Sequence, residues 1–373
     1  MQYHATVRRT FGPVAAAALL AAFASCANVG APPEPRTSAG APMDWGQNPP
    51  SPNDMGKHDI TGPRPFEWWY FDGHLDSGET FVGVFLDPDF LTGKPGVTFS
   101  LYAPDWTKES RLATLTRDEM TSSREDMEIT CPAGYVNRLG PDSYRVGWIF
   151  EGLRADFTLT TLAQGWLPEG GDGVNTDAMD FFWTVHEGRN RIEGTIARDG
   201  VTRSVAGEGY ADHNWGKKPL AEIVRSWVWG RILAGSYTIV YADIIYRDPR
   251  ITANPLYIAK EGGMIVGAGN PVFRESDFRV HPALQRPYPG RIEIEYANGG
   301  TEAHIDIRFL RLVEEVDMLT LSGMDAFSQW VARTFVARPT YFRAIAEYDG
   351  EIVEGGVPSP ISGECLYEVM GFE

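Results

Sequence analysis

The 373-residue chain has three cysteines, no Cys-x-x-Cys pair and no His-Glu-x-x-His motif. It therefore carries no strong metal or redox signature, and its seven histidines are scattered. No metal or cofactor is expected. A Gly-x-Ser-x-Gly elbow is missing too, which argues against a serine hydrolase. Positive charge is scarce: 33 Lys and Arg stand against 50 Asp and Glu, for a net charge of −17. That balance argues against a basic patch for nucleic acid or anionic headgroups. Outside the N-terminus no apolar run reaches 18 residues, so no membrane span is expected. Long helical periods are rare.

Residues 1–26 read as an export signal. Arg8-Arg9 followed by Phe11 resembles a twin-arginine motif, and Val14 to Ala24 is a short apolar stretch. Two readings of Cys26 stay open. Ser25-Cys26 ends a lipobox-like sequence that would put a lipid on Cys26, or cleavage follows Ala22-Phe-Ala24 and leaves the thiol free. The expectation is an exported protein on the periplasmic side, touching a membrane only through that lipid. Residues 27–60 are rich in Pro, Ala, Gly, Ser and Asn and read as a flexible tether. Cys131 and Cys365 either pair or stay as buried thiols.

What the chain has in plenty is aromatic residues and glycine, in many short Val/Ile/Tyr/Phe/Trp runs. That profile predicts an all-β protein. Asp199-Gly200 and Asn298-Gly299-Gly300 mark hairpins between alternating runs. One helix is expected near residues 323–337, opened by a capping box at Ser322 to Asp325 and stopped by Pro339. A weak repeat links Trp69-Tyr-Phe-Asp-Gly-His-Leu75 and its following strand to Trp227-Val-Trp-Gly-Arg-Ile-Leu233 and its own. It suggests two β-units divided near Gly216, over 61–216 and 217–373.

Two stretches point to chemistry. Gly209 to Gly216 crowds acid, imidazole, amide and indole into Asp212-His213-Asn214-Trp215. Buried polar atoms need partners, so such crowding is rarely for stability alone. Tyr237 to Tyr246 is an apolar strand with one acid, Asp243, in its middle. Alternation puts Tyr241 and Asp243 on one face. A carboxyl group in such surroundings resists ionisation and can donate a proton near neutrality. Alternatively Asp243 pairs with an arginine, such as Arg231 or Arg225. In the same register His213 and Trp215 share a face. The expected site joins these pairs: Asp243 as acid, His213 placing or deprotonating water, Tyr241 in support and Trp215 steadying a cation. Asp212 and Asn214 would hold the turn. Trp69 and Phe71, in a dense aromatic cluster, belong to the core or line the pocket.

Glu67-Trp-Trp-Tyr-Phe-Asp-Gly-His74, Asp212-His-Asn-Trp-Gly216, Trp227-Val-Trp-Gly230 and Tyr241-Ala-Asp243 together resemble the carotenoid 1,2-hydratase superfamily. Its relatives include lipocalin-like secreted hydrolases and fungal Diels–Alderases. The resemblance runs over about residues 60–310. It implies two lipocalin-like β-barrel or sandwich modules in tandem around a hydrophobic pocket. It also implies cofactor-free protonation and hydration, isomerisation or cyclisation of an isoprenoid or polyene. Asp243, Tyr241, His213 and Trp215 match the working positions, with Trp69, Phe71, Trp227 and Trp229 against the substrate. A non-catalytic lipid carrier and a Diels–Alderase-like pericyclase are the alternatives.

Overall fold

The structure is a computed structural model. It describes residues 31–39, 43–89, 91–168, 181–249, 251, 254–321 and 339–372. The expected export signal, Cys26 and the helix over 323–337 lie outside the described residues. Among the described residues the protein is a mostly-β, lipocalin-like arrangement of two eleven-stranded antiparallel sheets with short helices.

The first sheet runs from Lys108–Thr114 through Gly96–Tyr102, Thr80–Leu86 and Phe66–Leu75 to Val201–Gly216, Phe181–Arg198 and Leu153–Ala163, and on to Thr121–Ser122. The second is centred on Val357–Gly371, Val224–Ala234 and Tyr237–Tyr246. Each has its own core. Trp69, Phe71, Phe81, Trp148 and Phe157 fill the first. Ile239, Tyr241, Leu256, Ile294 and Phe342 fill the second. Backbones crowd these interiors: a Cβ on Gly83 would lie 2.2 Å from the Trp148 ring.

A third apolar cluster lies between the sheets. Phe66, Phe181, Trp183 and Tyr210 come from the first, and Val240, Ala242, Ile244 and Tyr257 from the second. Strands at the junction are therefore apolar on both faces, one toward their own module and one toward the other. Such double burial explains the near-continuous apolar runs.

The stretch expected to be a tether is in part built into the fold, which corrects the boundary at residue 60. Arg36–Ser38 pairs with Val272–Ser276 and Met43–Asp44 with Gly263–Gly269, at opposite ends of the second sheet. Laid flat, eleven strands would set those ends roughly 48 Å apart. The covalent link from Ser38 to Met43 reaches at most about 18 Å. The sheet must curl until its two edges nearly meet, and this strap closes the gap. Trp45, 1% exposed, then stacks on Trp166 of the first module. Cys131 and Cys365 are free thiols, in keeping with the unpaired alternative.

Candidate active site

Between the sheets lies a chamber of about 80 Å³. Its walls are aromatic: Trp68 and Tyr70, Phe181 and Trp183, Trp227 and Trp229. Ala242, Ile244 and Pro255 complete the apolar lining, and Asp212, Asn214 and Glu368 are its polar members.

Asp212 is buried, 5% exposed. Its Oδ2 accepts hydrogen bonds from Trp183 Nε1 (3.1 Å) and the Tyr210 hydroxyl (2.9 Å), and its Oδ1 from Asn214 Nδ2 (2.8 Å). Burial pushes its pKa up to about 7, against the pull of the Trp183 and Tyr210 hydrogen bonds, with Asp72 and Glu368 adding to the rise. The Asn214 amide offers a donor to the ionised acid and, turned over, an acceptor to the neutral one. Asp212 and Asn214, expected to hold a turn, are thus central to the chamber.

A polar cluster adjoins it. Glu368 Oε1 accepts from Arg343 and from the Tyr70 hydroxyl at 3.2 Å. Arg343, 3% exposed, also donates to the Tyr102 hydroxyl at 2.8 Å. Arg231 pairs with Asp72, not with Asp243. Burial raises the Asp72 pKa despite that guanidinium.

The structure does not bring the four expected catalytic residues together. His213 and Trp215 turn to the other face of their strand. His213 stacks on Trp69 at 4.6 Å, its Nε2 lies 2.9 Å from Glu67 Oε1, and its Nδ1 lies 3.2 Å from the Asp54 carbonyl. Burial lowers the His213 pKa, with Glu67 opposing. Trp215 is sandwiched by His58 (3.8 Å) and Phe182 (5.4 Å). His58, Glu67 and His213 bring one donor atom each within 4.8 Å of one another, the kind of set that holds a metal. Hydrogen bonds from both histidines to Glu67 Oε1 account for the grouping.

Asp243 and Tyr241 face the interior of the second module instead. Asp243 accepts from Ser38 (3.1 Å) and Asn254 (3.0 Å) and lies 3.5 Å from the Arg36 guanidinium. Arg36 also holds Glu275 at 2.6 Å. The arginine-paired alternative for Asp243 holds, with an arginine that comes from the strap. Tyr241 packs in the second core, 6.2 Å from the Phe273 ring. Trp69 and Phe71 are fully buried in the first core, away from the chamber. Trp227 and Trp229 line it. Trp69 and Trp227, matched in the internal repeat, therefore serve different faces. Sequence reasoning missed Trp68, Tyr70, Trp183, Tyr210 and Glu368. The i, i+2 spacing of Trp68 with Tyr70, and of Tyr210 with Asp212 and Asn214, was the available signal.

A family model described as carotenoid hydratase CrtC matches residues 173–283, under a third of the chain. That span includes Asp212 and both chamber tryptophans of the Val224–Ala234 strand. The quinolone epoxide rearrangement protein asqO of Emericella nidulans is 43% identical over 47 residues, and the match spans only 13% of each protein. Solved structures share the fold. A crystal structure of an AttH candidate from Nitrosomonas europaea superposes with a TM-score of 0.63 at 17% identity, over 89% of this chain and all of the other. CghA in complex with Sch210972 gives 0.60 at 12%, over 91% and 99%. Kievitone hydratase from Nectria haematococca gives 0.54 at 11%, over 88% and 98%.

Proposed function

We propose that this protein is a cofactor-independent lyase of the hydratase type, acting on a C=C bond of a hydrophobic isoprenoid or polyene in the chamber between its sheets. One observation carries the reading: a buried acid, Asp212, sits in a box whose walls are aromatic faces. The carotenoid hydratase match over the same segment supports it, as does the fold shared with a protein named a hydratase.

The chemistry follows from the lining. Neutral Asp212 gives its proton to the less substituted alkene carbon. The π pair forms the new C–H bond and leaves a tertiary cation. Indole and phenol faces stabilise that cation by about 2 kcal/mol each when desolvated. Water then adds to the cation and loses a proton, giving an alcohol. Loss of a proton without water addition gives an isomerised alkene, so hydration and isomerisation share the first step.

The test is incubation with acyclic isoprenoids in D2O, read by mass spectrometry. Wild type is expected to yield a deuterated alcohol or alkene isomer. Asp212→Asn, which keeps size and hydrogen-bonding capacity, is expected to lose at least about 100-fold in rate. Bound substrate that comes back unchanged and undeuterated would mean a carrier, not an enzyme.

A further inference from the structure

Hydration needs water at the cation, yet the walls around Asp212 are mostly apolar. A second, smaller niche shares Tyr70, Trp229 and Glu368 with the chamber. It measures about 10 Å³, close to the least space that holds one water molecule. Its remaining lining is largely polar and includes Asp72, Thr80 and Arg231. A bound water requires two to four polar partners, and these walls supply them.

Glu368 stands at the boundary. Its donors, Arg343 Nε, Arg343 Nη2 and the Tyr70 hydroxyl, all reach Oε1. Among the described residues no side-chain hydrogen bond reaches Oε2. One oxygen is therefore held by three donors, and the carboxylate lines both the niche and the chamber. Buried Arg343 makes a charge-assisted bond to this carboxylate.

We infer that the niche holds the reacting water and that Glu368 is the base that takes its proton. The inference rests on the hydratase reading and adds a second catalytic residue, opposite in role to Asp212. Asp212 loses its proton to the alkene. The water oxygen forms the C–O bond as Glu368 Oε2 accepts the released proton. One alkene and one water become one alcohol, and the proton on Glu368 returns to Asp212 before the next turnover. Water is thus metered one molecule at a time from a polar compartment into an apolar one. Competing loss of a proton from the cation is suppressed because the nucleophile is already in place.

Two substitutions probe this from independent directions. Glu368→Gln keeps the contacts at Oε1 and removes the base. Val82→Leu, at the strand position paired with Asp72, narrows the niche without removing a charged group. Each variant is incubated with squalene or lycopene in D2O, with H2(18)O in a parallel run. For both, the ratio of alcohol to isomerised alkene is expected to fall at least tenfold, while deuterium still enters the alkene by way of Asp212. An 18O-labelled alcohol formed at the wild-type ratio by both variants overturns the assignment. Absence of deuterium from every wild-type product instead overturns the parent reading. If Glu368→Gln does not fold, the Val82→Leu ratio alone decides.

Discussion

Asp212 is surrounded by groups that pull in both directions. Trp183, Tyr210 and Asn214 donate to it, while Asp72 and Glu368 repel its charge and Arg231 stands beyond Tyr210. Burial prevails and sets its pKa near 7. Because the neutral form is the reactant, kcat should be flat at pH 5–6 and fall as pH rises through about 7. Well above that point it should drop tenfold per unit, measured under substrate saturation; a rate that rises from pH 6 to 8 would contradict the role. Glu187 has no place in the chemistry but titrates in the same range. It is buried, accepts from Thr161 and Asn190, and is pushed up to about 7 by desolvation. Its folded pKa lies above its unfolded value of 4.5, so its contribution is fully present below pH 4.5 and lost as pH rises through 7. The loss amounts to about 3 kcal/mol. Glu187→Gln should therefore flatten the fall in urea-unfolding stability between pH 5 and 8, and Asn190 Oδ1, which lacks a partner, can accept from the new amide.

At the scale of the element, the decisive fact is that junction strands are apolar on both sides. Alternation in Tyr237–Tyr246 was legible: Tyr241 with Asp243, Ala242 with Ile244. What the pattern could not say is which face meets the chamber. A one-residue change of face exchanges every side chain, so choosing His213, Trp215, Trp69 and Phe71 left Asp212, Asn214, Trp68 and Tyr70 aside. The answer lies in how the sheets pack, a non-local fact. Trp227 and Trp229 were expected through the family resemblance, and they line the chamber on a strand whose alternate residues, Val228 and Ile232, fill the module core. Glu368 was not, because it is an unremarked acid in a long C-terminal strand. Nor was Arg36, which sits in a three-residue strand within a stretch of low apolar content. It is the cation for two acids that are each 1% exposed, Asp243 and Glu275. Removing one partner of a buried pair costs about 3–5 kcal/mol, and the one-third exposure of Arg36 calls for a smaller figure. Arg36→Met is expected to lower stability by about 2 kcal/mol, read from the urea midpoint. An unchanged midpoint would show that the strap carries no such weight.

For the whole molecule, two curled sheets each complete a core and then share a third. The chamber exists only where they meet, with Trp68 and Asp212 from one and Trp227, Trp229 and Glu368 from the other. All-β composition could be read from short strands and hairpin turns. The shared face could not, since no local period marks it. That joint construction separates the acid in the chamber from the acid in the second core. Asp212 faces the chamber among neutral donors, whereas Asp243 is directed into the second module beside Arg36. The most direct measurement is therefore a side-by-side assay of Asp212→Asn and Asp243→Asn, following deuterium transfer from D2O into an acyclic isoprenoid. The account predicts that Asp212→Asn abolishes transfer and Asp243→Asn keeps it within a few-fold of wild type. Transfer lost in Asp243→Asn and retained in Asp212→Asn would contradict it.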